Sequence, residues 1–154
     1  LLGEVSVMDT LTQDFVQVRM SKVSTLQMKK LRMENGDSVI CVVKSFAGPE
    51  KESELYFFNQ EWKVLDASRF LGGKRMEDLA ETLVQKPDTM SESRFADLKA
   101  MIEPKMVSAL LLQNENVLVV RLASPLLSAD DKKTVNVIKL QRKFNWNGKS
   151  FKES

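Results

Sequence analysis

Residues 25–46 read TLQMKKLRMENGDSVICVVKSF, and this stretch decides the fold because it predicts a hairpin at the centre of an antiparallel sheet. Asn35 and Gly36 suit the positive φ values of a tight type I′ turn, so they predict the hairpin loop. The following segment, SVICVVKSF, is apolar in both phases and rich in β-branched residues. Such a run predicts a central strand that is covered on both faces.

The first strand of this hairpin changes its hydrophobic phase half-way along. Leu26 and Met28 share one face, whereas Leu31 and Met33 have the opposite phase. A shift of one residue is what a β-bulge produces, so a bulge is predicted at residues 29–30.

A second hairpin is predicted from LYFFNQEWKVLD, residues 55–66. With a three-residue loop, Phe58 is opposite Trp62, Tyr56 shares their face, and Phe57 points to the other face. One face must meet the helices. If the other face is exposed, Tyr56, Phe58 and Trp62 form a candidate surface for binding a partner; the alternative is that they pack in the core.

The middle of the chain predicts helices. KRMEDLAETLVQK (74–86) carries one apolar stripe at helical spacing, and SESRFADLKAMIEP (91–104) carries another, with Ser91 as its N-cap or Thr89 in a capping box. Ser128 is predicted to cap a third, short helix. Pro49, Pro104 and Pro125 are predicted to break the elements before them.

QRKFNWNGKSFKE (141–153) predicts a last hairpin with Asn147 and Gly148 at its tip. A two-residue turn places Trp146 opposite Lys149, where a cation–π contact can form. Trp146 near the loop tip is a further candidate for recognition of a partner, and ordinary cross-strand packing is the alternative.

Residues 25–66 and 105–153 share an order of elements: strand, polar turn, buried strand, Pro and aromatic hairpin. Chance similarity between meanders is the alternative to an internal repeat. The fold class predicted from this order is α+β, with two antiparallel four-stranded β-meander units and helices packed on the sheets. The predicted units are residues 1–70, and residues 71–154 with the helical segment.

Composition disfavours several kinds of chemistry. The chain of 154 residues has no His, and Cys41 is its single Cys, so no disulfide within the chain, thiolate metal cluster or Ser-His or Cys-His pair can form. The net charge of +2 is spread without a basic stripe, which disfavours nucleic acid as a partner. We expect no cofactor and no metal, and no apolar run is long enough to predict a membrane span.

Several strings in this sequence resemble a known family. SKVSTLQMK, VICVVKSFAGP, EWKVLDA, FADLKAMIEP and FNWNGKSF are similar to an uncharacterised family of exported proteins from Bacteroidales bacteria, described only as a domain of unknown function. The resemblance covers about residues 8–152. It implies precursors with a signal sequence, hence a periplasmic or cell-surface location, and it implies no activity. The order of helices and strands also resembles tandem β-lactamase-inhibitor-like periplasmic proteins, at the level of fold alone.

Two functions of different classes are consistent with the sequence. The first hypothesis is a non-catalytic extracytoplasmic binding or interaction module, not an enzyme, with a protein or peptide as its partner and an oligomeric state that the sequence leaves undefined. The alternative is a carboxylate-dependent hydrolase acting on carbohydrate, which needs two carboxyl groups about 5–10 Å apart in a cleft. No pair of Asp or Glu can be placed that way from the sequence.

Overall fold

The computed structural model describes residues 6–48, 50–102, 105–124, 127–138 and 140–153, and the backbone but not the side chain of Ala80. The protein is mostly β: two antiparallel sheets, of six and four strands, are joined by short helices. Pro49, Pro104 and Pro125, which were predicted as breaks, lie outside the described residues.

The first sheet is a meander of six strands, with neighbours in the sheet following chain order. The predicted unit of four strands was therefore wrong in its count: two short strands precede the central hairpin, and their weak alternation includes polar residues. The strands are β1 (Val7–Leu11), β2 (Phe15–Arg19), β3 (Ser24–Arg32), β4 (Ser38–Ala47), β5 (Lys51–Phe58) and β6 (Val64–Leu65).

The second sheet has four strands in the order β10-β9-β8-β7, as predicted for the second unit. Its strands are β7 (Met106–Leu111), β8 (Val117–Ala123), β9 (Gln141–Trp146) and β10 (Phe151–Glu153). The first sheet lies within residues 1–70 and the second within 71–154, and the division into two domains stays a prediction. Buried residues of both sheets contribute to one hydrophobic core.

The helices are α1 (Met76–Leu83), α2 (Glu92–Met101) and α3 (Ala129–Val135), and a 3₁₀ turn spans Ala67–Phe70. Ser91 caps α2, since its hydroxyl accepts a hydrogen bond from the backbone N–H of Arg94. Ser128 caps α3 in the same way through Asp131 N–H. Both predicted caps are confirmed. Helix α3 lies between β8 and β9 in the chain.

An aromatic cluster joins the two sheets. The rings of Phe57 and Phe70 stack with centroids 4.5 Å apart, and Trp146 meets Phe151 edge-on at 5.2 Å. Phe57 and Phe151 also lie 6.3 Å apart. Such pairs add about 0.5–1.5 kcal/mol each beyond the burial of their area, so the cluster fixes the ends of both aromatic hairpins in the core.

The edge strand β7 is seated on the first sheet by polar side chains. Gln27 accepts a hydrogen bond from Leu111 N–H at 2.9 Å and donates to Leu111 C=O at 3.2 Å. Ser53 accepts from Ala109 N–H at 2.9 Å. These side chains act as a neighbouring strand would, so the backbone groups on the free edge of β7 are satisfied.

Lys29 explains why the predicted β-bulge is absent from β3. The strand pairs with β4 in unbroken register from Ser24 to Arg32. Lys29 points inward, is 3% exposed, and donates hydrogen bonds to the carbonyl oxygens of Leu112, Gln113 and Glu115. The apparent change of phase arises because polar Gln27 and Lys29 occupy inward positions, while Leu26 and Met28 face outward.

Candidate functional site

The two faces of the six-stranded sheet differ in what covers them. The inner face carries Cys41, Val43 and Phe57, which belong to the core. We call the opposite side, which carries Tyr56 and Phe58, the outer face. Cross-strand register assigns twelve apolar or aromatic residues to it: Met8, Leu11, Val16, Val18, Leu26, Met28, Ile40, Val42, Phe46, Tyr56, Phe58 and Val64.

One apolar row crosses five strands without interruption. Leu11 is opposite Val16, Val16 opposite Met28, Met28 opposite Val42, and Val42 opposite Tyr56. Four strand spacings of about 4.8 Å make this row about 19 Å long. The apolar surface of the outer face is therefore continuous and wider than a single side chain or hairpin could create.

No described residue of the outer face belongs to the core cluster on the other side of the sheet, but Val42, in the middle of the apolar row, is 7% exposed and so is buried among its neighbours. Leu11 and Val64 are each 68% exposed, Met8 is 56% exposed and Tyr56 39% exposed. The antiparallel sheet of a soluble protein usually has a polar solvent face. The prediction that β4 is covered on both faces is met at Val42, which is buried on the outer face, and not at Phe46, which is 37% exposed there.

Three of the predicted binding residues lie together at one edge of the outer face. The ring centroids of Tyr56 and Phe58 are 6.4 Å apart, and those of Phe58 and Trp62 are 6.0 Å apart. The predicted face is correct, but the register differs: Phe58 is opposite Val64, not Trp62. The loop is longer than predicted because Asn59 closes it, with its side chain accepting hydrogen bonds from the backbone N–H groups of Glu61 and Lys63.

Trp62 combines exposure with an unfavourable backbone conformation. Its φ is +62°, and it is the only residue other than glycine with positive φ among those described. This conformation costs an L-residue about 1–2 kcal/mol, and a bulky side chain there is unusual. The indole ring is nevertheless 59% exposed, so burial in the chain's own core does not account for a Trp at this position.

Charged groups border the outer face at both ends. Lys30 and Arg32 lie at one end, while Glu52 and Glu54 lie at the other. The Tyr56 hydroxyl donates a 2.7 Å hydrogen bond to Glu54, and this bond raises the pKa of Tyr56. The outer face therefore has an apolar centre and a border that carries both positive and negative charges.

Trp146, the fourth predicted binding residue, lies apart from the other three. It is half-buried, contacts Phe70 and Phe151, and its indole N–H donates to Arg32 C=O at 2.8 Å. The four-residue turn places Trp146 opposite Phe151 rather than Lys149. The predicted cation–π pair was wrong, since Lys149 instead lies 3.3 Å from Glu34.

Reactive groups are sparse in the part of the chain that the structure describes. No three Cys, Asp or Glu side chains there are placed to hold a metal ion together. Cys41 is fully buried, and burial raises the pKa of its thiol. No helix among the described residues is both long and apolar enough to span a bilayer.

The sequence did not identify the outer-face residues of β1–β4 as part of a surface. The signal was present in two places: the two-faced apolar run of β4, and Leu26 and Met28 alternating against polar Gln27 and Lys29. Both patterns indicate an apolar layer on the side away from the core.

Residues 1–151 match the family described as "Protein of unknown function (DUF3256)". The chain belongs to this family. The predicted resemblance to an uncharacterised family is therefore confirmed, while export and likeness to β-lactamase-inhibitor proteins stay predictions. No curated protein is significantly similar in sequence.

A solved structure shares the fold. The structure of a domain of an uncharacterized protein from Porphyromonas gingivalis W83 is similar with a TM-score of 0.74 and 22% identity. The similarity covers 94% of this chain and 72% of that chain. That bacterium is one of the Bacteroidales. At this identity the likeness extends to the fold alone.

Proposed function

We propose that this chain is a non-catalytic interaction module that binds a protein partner through the outer face of its six-stranded sheet. One observation carries the proposal: both faces of the sheet are apolar, and described residues cover only one. A continuous exposed apolar patch on a soluble protein commonly marks an interaction surface. The missing cover is then an apolar layer on the partner.

The shape and the charge of the outer face favour a polypeptide as the occupant. An apolar row about 19 Å long presents a broad, twisted surface rather than a cavity for a small molecule. Lys30 and Arg32 at one end and Glu52 and Glu54 at the other suit a partner that carries both signs.

Trp62 is the expected anchor of this interaction. Exposed Trp and Tyr side chains often dominate the binding energy at protein interfaces. Trp62 stands beside Phe58 and Tyr56, and its backbone would be less strained with glycine at the position. The presence of Trp in this unfavourable backbone conformation supports a role for its side chain outside the chain's own core.

The proposed location is outside the cytoplasm, and its support is the resemblance to exported proteins. The partner would then be another exported or surface polypeptide. The hydrolase alternative stays a hypothesis that no observation favours.

The proposal is tested by placing charge on the outer face. In Leu11→Glu/Val64→Glu, two exposed side chains become carboxylates, so folding should be unaffected while the interface would have to desolvate two charges. Val137→Glu is the matched control, since Val137 is 50% exposed and lies on neither face of the six-stranded sheet. Polypeptides retained by the wild type and by Val137→Glu, but not by the double variant, are purified and titrated.

We expect the double variant to bind a polypeptide identified in this way at least about tenfold more weakly than the wild type, a loss of about 1.4 kcal/mol. Val137→Glu should match the wild type. Equal affinity of all three proteins contradicts the proposal. If the wild type retains only phospholipid vesicles, or only a second copy of this chain, the proposal that a different protein binds the outer face is contradicted.

A further inference from the structure

A groove between the two sheets forms a second surface, separate from the outer face. It has a volume of about 500 Å³, which is within the range of small-ligand sites. One wall is the part of the inner face that β7 leaves uncovered, and the other is the outward side of the four-stranded sheet. Residues that represent the two walls are Gln17, Thr25 and Ser45, and Ser108, Leu110 and Arg121.

The groove exists because of how β7 is seated. Gln27 and Ser53 hold the free edge of β7 against the middle of the inner face. Beyond that contact the inner face is polar: Arg19 is opposite Thr25, and Thr25 is opposite Ser45. The polar end of the inner face therefore lies outside the core and forms the floor of the groove.

The charges that line the groove are mainly positive. Four cationic side chains line it, and Glu50 is the only carboxylate among its described lining residues. Glu50 is already paired, with its Oε1 2.5 Å from Lys132 Nζ. The four cations are Arg19, Lys22, Lys51 and Arg121.

Most of these cations have no acidic partner among the described residues. Arg19 lies 4.0 Å from Asp9, at the limit of an ion pair. No ion pair joins Lys22, Lys51 or Arg121 to any of the residues that the structure describes. Arg19 and Arg121 stand on opposite walls, and guanidinium groups bind carboxylates with two parallel hydrogen bonds.

The neutral lining suits a ligand with many hydroxyl groups. Hydroxyls and amides on both walls can each donate and accept hydrogen bonds. They alternate with seven apolar residues, which can pack against the C–H faces of a sugar ring: Val23, Phe46, Ala47, Ala109, Leu110, Val119 and Ala123. The polar groups are those of Gln17, Ser24, Thr25, Ser45, Ser108 and Gln141.

From this combination we infer that the groove binds an acidic saccharide, a sugar that carries a carboxylate, with Arg121 and Arg19 contacting the carboxylate and the hydroxyl and amide side chains contacting the sugar hydroxyls. This inference does not depend on the outer face having a partner, since Phe46 is the only residue named for both surfaces.

The inference is tested by titrating the intact chain with digalacturonate while following backbone amide signals by heteronuclear NMR. Maltose, inorganic phosphate and tetraglutamate are titrated in parallel. We expect digalacturonate to shift amides of β2, β3, β7 and β8, and to bind more tightly than the other three. Arg121→Gln should weaken binding at least about tenfold, the loss of one charge-assisted hydrogen bond.

Lys133→Gln on α3 is the matched control and should bind like the wild type, because Lys133 is exposed and does not line the groove. Arg121 has no ion pair with a described residue, so its variant should fold. Unchanged amide signals of the free protein verify this. Four results would each overturn the inference. The first two are no amide shifts with digalacturonate and maltose binding as tightly as digalacturonate. The others are tighter binding of phosphate or tetraglutamate and an equal loss of affinity in both variants.

Discussion

Gln27 and Leu111 lie 84 positions apart in the sequence and are joined by two hydrogen bonds, from Leu111 N–H to Gln27 Oε1 and from Gln27 Nε2 to Leu111 C=O. A side-chain amide thus replaces the strand that the free edge of β7 lacks. This pair fixes where the second sheet meets the first, and so decides which part of the inner face becomes core and which part remains open.

Gln27→Leu should destabilise the fold by about 2–4 kcal/mol, because the variant leaves one buried donor and one buried acceptor on Leu111 without partners. The free energy of unfolding in urea measures this. Gln60→Leu, at an exposed loop position, is the matched control and should change stability by less than about 0.5 kcal/mol. A Gln27→Leu protein as stable as the control would show that the edge of β7 does not need the amide.

Lys29 should make stability depend on pH in the alkaline range. Burial lowers the pKa of Lys29 below its ordinary value of 10.5, so the unfolded chain holds this proton more tightly than the folded one. Stability from this group therefore rises as pH increases from the folded-state pKa towards 10.5.

Lys29→Met removes that contribution. We expect the difference in free energy of unfolding, wild type minus variant, to increase from pH 7 to pH 10.5. Lys30→Met serves as a control, since Lys30 is exposed on the same strand. A difference that is constant or that falls with pH would contradict the assigned direction of the pKa shift.

Cys41 should be inert towards thiol reagents in the folded protein. Its side chain is 0% exposed and burial raises its pKa, so neither access nor thiolate is available for reaction. Labelling with an aromatic disulfide reagent should proceed only at the rate of unfolding and become fast in denaturant. Rapid labelling under native conditions would contradict the burial of β4's inner face.

The two tryptophans should separate stability from binding. Trp146→Ala should cost about 3 kcal/mol of stability, since the ring packs against Phe70 and Phe151. Trp62→Gly should change stability by less than about 1 kcal/mol, because relief of the positive φ offsets the lost contact with Phe58. Unfolding curves measure both effects.

Affinity for the protein partner should depend on Trp62 and not on Trp146, the opposite of their effects on stability. Trp62→Gly should weaken binding more than tenfold, as for an interface anchor, whereas a Trp146→Phe variant that remains folded should bind normally. If the Trp62 variant bound like the wild type, the role of this loop in recognition would be excluded.

The local elements were largely predictable from the sequence. The central hairpin turns at Asn35 and Gly36 as predicted, but the predicted type I′ geometry was wrong, because only Gly36 has a positive φ, of +90°. Ser91 and Ser128 cap their helices because short polar side chains at those positions satisfy free N–H groups. Tyr56 and Phe58 were assigned to the correct face because the two-residue period of a strand does not depend on loop length.

Long-range contacts were not predictable in the same way. The change of phase in β3 was interpreted as a β-bulge, but Gln27 and Lys29 face inward because backbone groups about 84 residues away need partners. Loop lengths also failed, since Asn59 and Asn147 side chains stabilise longer turns than two- or three-residue loops. Of the two interpretations of Trp146, the structure favours packing, since its ring packs against the core.

The central claim, that the outer face is bound by a protein, is tested most directly by placing a photo-cross-linking amino acid at residue 64 and, in a matched protein, at residue 137. Both positions are exposed, but only residue 64 lies on the outer face. Irradiation in the native setting should join residue 64, and not residue 137, to another polypeptide, and Trp62→Gly should abolish the adduct. Equal adducts at both positions, or adducts with lipid alone at residue 64, would contradict the claim.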